Sequence, residues 1–97
     1  MRGIHHVSRV NPFEACRVAD VGDVPFEESH VPEKAMAEIE RFFAQVHGAG
    51  ALPLTAGGDH SITHPIFRAI ATPEAPIGMV HIDAHTDTWD AWQGNKF

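Results

Sequence analysis

Residues 81–90 read HIDAHTDTWD, which places three carboxylates and two imidazoles in ten positions directly after the apolar run PIGMV. No other stretch constrains the fold as strongly. The segment 77–83, IGMVHID, is nearly continuous apolar sequence, the pattern of a strand covered on both faces. If 83–87 stays extended, side chains alternate, so Asp83, His85 and Asp87 share one side and Ala84 and Thr86 the other. Carboxylates and an imidazole crowded at a strand end repel or desolvate one another unless a cation joins them. Oxygen-dominated sets with one or two imidazoles suit a fairly hard ion such as manganese(II), with zinc, iron and cobalt as alternatives. The only thiol, Cys16, lies far upstream, which argues against a cysteine-rich structural zinc site.

The rest of the chain supplies a frame for that strand. Residues 16–22, CRVADVG, alternate and end at Gly22, as a strand does. From Pro32 to His47, Met36, Ile39, Phe43 and Val46 recur at three- and four-residue steps, with charged residues largely on other faces. That spacing predicts an amphipathic helix with Pro32 in its first turn and Gly48 and Gly50 at its end. Residues 51–56, ALPLTA, read as a second strand, and GGDHS then breaks it with a tight loop. A second helix is expected over 63–71, with Pro65 in its first turn, where proline removes no needed backbone bond. Strand, helix, strand, helix, strand predicts an α/β chain: a parallel sheet with flanking helices and right-handed crossovers. Sites in such sheets form beyond the carboxyl ends of strands. GGDHS and DAHTD both fall there. The glycines permit close backbone approach, so His60 can reach the same site from the adjacent loop. Bridging carboxylates allow two ions about 3.5–4 Å apart, with a water between them acidified toward neutral pH.

Composition narrows the partners. The 97 residues fit one small domain, and a formal charge of -6 disfavours nucleic acid while suiting a cationic ligand. A single cysteine excludes an intrachain disulfide and points to a reducing, cytoplasmic setting. No apolar run approaches the roughly 20 residues of a membrane span, and the first ten residues make a poor signal peptide.

GGDHS at 57–61 followed by DAHTD at 83–87 resembles the ureohydrolase family of arginases and agmatinases, and HIDAHTDTWD looks closest to its agmatinase and guanidinobutyrase branch. The resemblance runs from CRVADVGDV through GGDHSIT to DAHTDTWD. It implies a three-layer α/β/α fold with two manganese(II) ions per complete active site. It also implies hydrolysis of a small cationic, agmatine-like guanidino compound to urea and an amine, a step of polyamine metabolism. Carried over by motif, His60 binds the first ion, Asp83 bridges both, His85 binds the second, and Asp87 binds the first. Asp83 and Asp87 are then the catalytic carboxylates, with Asp87 orienting a metal-bridging hydroxide. Relatives assemble as trimers or hexamers, so a homo-oligomer is expected. The family's third motif, S-x-D-x-D-x-x-D-P, does not occur in these residues. The expectation is therefore that 1–97 is a partial ureohydrolase domain, truncated at its C-terminus and at its N-terminus. Such a chain should bind metal weakly, lack meaningful turnover by itself, and expose an unpaired sheet edge. Two alternatives stand beside this: a non-catalytic remnant with weak metal binding or a packing role, and a binuclear hydrolase of another C–N bond.

The remaining candidates have plainer readings. His81 is expected to pack or hydrogen bond beside the site, since the family motif puts no ligand there. His5, His6, His30 and His47 read as surface residues, and His64 as a residue that caps or packs at a helix start. Asp59 should order its loop through backbone hydrogen bonds, and Asp90 should sit in a turn or beside the site. Trp89 and Trp92 either line a substrate entrance or pack against other parts of the fold.

Overall fold

The apolar spacing of the middle of the chain builds its longest element. In the computed structural model, which describes residues 3–88, 90, 91, 93 and 94, helix α2 spans Pro32–Gly48. Pro32 opens it, where a missing N–H costs nothing. Its end is set by Gly50, whose φ of +75° permits the left-handed turn. The Gly50 N–H donates to His47 O at 2.8 Å and the Ala51 N–H to Val46 O at 3.3 Å, the paired closure of a Schellman motif. Helix α3 spans Thr63–Ile70 and holds Pro65 in its first turn, fully buried.

These two helices pack together and contain the core: Ile39 and Phe43 of α2 are buried at 6% exposure each, with Pro65 of α3 buried beyond them. The expected stripe of α2 thus faces inward. An ion pair from Arg68 Nε to Glu40 Oε2, 3.1 Å, bridges the helices at the surface. Both oxygens of Glu38 accept the Glu27 N–H at 3.3 Å, tying the segment before α2 back onto it. A short helix, α1, spans Pro12–Ala15. Asn11 caps it by accepting the Phe13 N–H at 3.1 Å, with Pro12 at its first position and Glu14 in its first turn.

The parallel sheet differs from expectation. Among the described residues no strand forms, so 16–22, 51–56 and 77–83 are unpaired coil. The physical reason is visible in their side chains. Leu52, Leu54, Val80 and Ile82 are almost wholly exposed, and a strand with neither a hydrogen-bonding neighbour nor a covered face has nothing to offset the entropy of ordering it. The accessible surface is 8522 Å², against about 5,500 Å² for a compact domain of this mass. The radius of gyration is 16.0 Å, against about 12.5 Å. The turn that ends 16–22 does form: Gly22 has a φ of +74°, and its N–H donates to Asp20 Oδ1 at 3.0 Å. Trp89 and Trp92 lie outside the described residues.

This division predicts an asymmetric response to truncation. Phe43→Ala should abolish the α2–α3 packing, since emptying a buried Phe site costs about 3–5 kcal/mol. Leu54→Ala should stay within about 0.5 kcal/mol. Far-UV circular dichroism during urea titration checks both, and an equal effect of the two would contradict the assignment of the core.

Candidate metal centre

The loop ahead of α3 brings the first imidazole into place. Asp59, in extended backbone, caps a single turn of 3-10 helix, His60–Ile62, by accepting the Ser61 N–H on Oδ1 at 2.8 Å. This is the loop-ordering role expected of Asp59. The same hydrogen bond holds the Asp59 carboxyl below the ordinary aspartate value. The turn runs directly into α3, so His60 is carried on the end of a packed helix. Gly57 lets the loop fold back, because a Cβ there would collide with the Ile62 side chain.

The second group of donors comes from 81–87. His60 Nδ1 lies 2.6 Å from Asp87 Oδ2 and 3.7 Å from Asp83 Oδ2. Asp87 reaches it from a φ of +49°, a left-handed conformation that aspartate tolerates better than most residues. The other oxygen of Asp83, Oδ1, accepts the His85 N–H at 2.8 Å and lies 3.4 Å from His85 Nδ1. That N–H is the main cause holding the Asp83 carboxyl below its usual range. Partial desolvation opposes it, and the neighbouring His81, His60 and His85 rings add smaller effects in the lowering direction.

Four residues offer donor atoms within 4.8 Å of one another: His60, His81, Asp83 and Asp87. Two imidazole nitrogens and two carboxylate oxygens are a donor set of the kind a divalent cation takes, and their spacing would have to adjust to the roughly 3.0–4.2 Å that bonds of about 2.1 Å require. Of the motif residues, His60, Asp83 and Asp87 converge in this group. His85 does not join it; its side chain is 83% exposed and touches the site only at Asp83 Oδ1. The chain bends at Ala84 and His85, where the Asp83 side chain captures the His85 N–H, and this breaks the strict alternation expected of 83–87. His81, expected to pack or hydrogen bond beside the site, also stands within this group. Period-two spacing was a signal for it, since His81 precedes Asp83 by two positions.

The model of the Arginase family matches residues 2–97. The chain belongs to the arginase family. Among curated arginase-family relatives, it is 50% identical over 96 residues to guanidinopropionase of Pseudomonas aeruginosa, covering 99% of this chain and 30% of that one. It is 46% identical to the mitochondrial agmatinase of Gallus gallus, covering 88% and 25%. It is also 46% identical to guanidinobutyrase of Pseudomonas aeruginosa, covering 88% and 26%. The chain therefore spans between 22% and 30% of the length of these and similar curated relatives. No solved structure matches it. Among the described residues no helix is long and apolar enough to cross a membrane.

The hydrogen bonding at Asp59 and Asp83 has a pH consequence. Both carboxyls are depressed in the fold, so each favours the folded loop above the unfolded aspartate value, and that contribution is lost as pH falls through the folded value. Carbon-13 NMR titration should place both midpoints below the ordinary 3.8. Midpoints at or above that value would contradict the loop geometry.

Proposed function

We propose that the protein carrying this segment hydrolyses a small, linear, agmatine-like guanidino compound to urea and an amine at a two-manganese centre. Its ligands are His60, Asp83, His85 and Asp87. Arginase-family membership and guanidino-hydrolase relatives support the reaction class. The observation that carries the ligand assignment is the division of Asp83. Its Oδ2 faces His60 and its Oδ1 faces His85, the arrangement a carboxylate needs to bridge two ions.

When bound, divalent cations here supply an acidified water and neutralise charge developing on the substrate. The residues do the remainder. Asp83 holds the two imidazoles on opposite sides of its carboxylate. Asp87, 2.6 Å from His60, turns its carboxylate into the site, where it orients the attacking water and accepts its proton. Water oxygen adds to the guanidinium carbon, the C–N bond to the alkyl-bearing nitrogen breaks, and that nitrogen takes up a proton and leaves as the amine. A homo-oligomer, trimer or hexamer, and a cytoplasmic location belong to the same reading, with a charge of -6 suiting a cationic substrate.

Urea release at full family length with manganese(II), tested on agmatine, guanidinobutyrate and guanidinopropionate, checks the reading. Turnover of one of the three is expected, with kcat/KM falling at least about 100-fold in Asp83→Asn. A protein that binds manganese but releases urea from none of them would instead establish the non-catalytic alternative.

A further inference from the structure

The two glycines of GGDHS are not equivalent. Neither has a positive φ, so backbone conformation alone demands glycine at neither. A glycine in that position gives up conformational freedom for nothing unless a close approach requires it. Around Gly58 a Cβ would meet nothing within 4 Å. At Gly57 it would fall 2.2 Å from Ile62 Cδ1 and 3.6 Å from Ile62 Cγ1. The δ-methyl of Ile62 therefore fills the space of the missing side chain, while the rest of Ile62 stands at ordinary contact distance. Ile62 has helical backbone, φ -62° and ψ -23°, where a β-branched side chain is held to essentially one χ1 rotamer. The δ-methyl cannot swing clear about that bond. Gly57 precedes His60 and Ile62 follows it, so the contact closes the loop beneath the imidazole, and the Asp59 hydrogen bond to the Ser61 N–H, 2.8 Å, closes it above.

We propose that Gly57 and Ile62 interlock to position His60, the absent side chain of one seating the δ-methyl of the other, an inference that rests on the metal-dependent reading above. Both are positioning residues: they act through His60, by fixing the turn from which its Nδ1 reaches Asp87 Oδ2 at 2.6 Å. The two glycines of the motif thereby separate, with the steric demand at Gly57 set by one methyl group of a residue five positions later.

The test uses the protein at full family length, crystallised without metal and assayed for urea release with manganese(II). Gly57→Ala, Gly58→Ala and the double variant Gly57→Ala/Ile62→Val are compared with the unsubstituted protein. Opening 2.2 Å to the 3.4 Å of ordinary contact should move the turn, His60 included, by about 1 Å in Gly57→Ala. Ile62→Val removes the colliding Cδ1, so in the double variant His60 should return to its place facing Asp87. The manganese concentration for half activation should rise about tenfold or more in Gly57→Ala and recover in the double variant, with KM for the guanidino substrate unchanged. A merely structural role predicts the opposite for the double variant, because taking away a further methyl group only loosens the packing. Gly57→Ala crystals with His60 in place and only Ile62 rotated overturn the proposal, as does a Gly58→Ala that displaces His60 equally. If Gly57→Ala does not fold, the double variant decides: folded protein with His60 in place supports the interlock, and continued failure overturns it. The metal-free crystals decide these points even where no urea is released, an outcome that removes the hydrolase reading alone.

Discussion

The apolar seam between α2 and α3 holds the described structure together. Ile39 and Phe43 are buried on α2 where it packs with α3, and Pro65 is buried at the start of the second helix. Because the 3-10 turn at His60–Ile62 is continuous with α3, the position of the first imidazole is inherited from that seam. The Asp59 cap and the close approach of Gly57 to Ile62 transmit it, one by a hydrogen bond and the other by leaving out a side chain. The proposed ligand His60 thus stands on the best-packed part of the chain, although its own loop is open to solvent.

The opposing segment has no such support. Residues 77–83 carry apolar side chains that face water, and their attachment to the helical part runs through polar atoms: Asp83 and Asp87 against His60. Two carboxylates and two imidazoles meet here with their polar atoms within 4.8 Å of one another, in a chain already at -6. Such a cluster gains more from a cation than from any rearrangement of its own hydrogen bonds. The electrostatics and the arginase-family assignment therefore point the same way from independent grounds.

The helices were legible because their information is local. The three-and-four spacing of Met36, Ile39, Phe43 and Val46 was enough for α2, and Pro32 and Gly50 marked its ends. Helix α1 was missed although Asn-Pro-x-Glu is a starting signal, because the four residues carry no apolar period. The sheet fared differently for a physical reason: apolar runs encode a demand for burial, but pairing is non-local, and no described residue meets the demand of 51–56 or 77–83. GGDHS and DAHTD named His60, Asp83 and Asp87, and the structure brings these three side chains together. The outward turn of His85 was hidden because it depends on a side-chain-to-backbone bond at Asp83 that breaks the alternation.

The left-handed backbone at Asp87 limits what evolution can place there, apart from any demand for charge. Glutamate keeps the negative sign but brings a longer side chain and a poorer fit to a φ of +49°. Asparagine and glycine keep the bend and lose the carboxylate. Shape and charge are separable demands at this position, and aspartate alone among the common residues meets both. Drift at residue 87 therefore has two distinguishable outcomes: a silent site on an intact bend, or an anionic side chain displaced from His60.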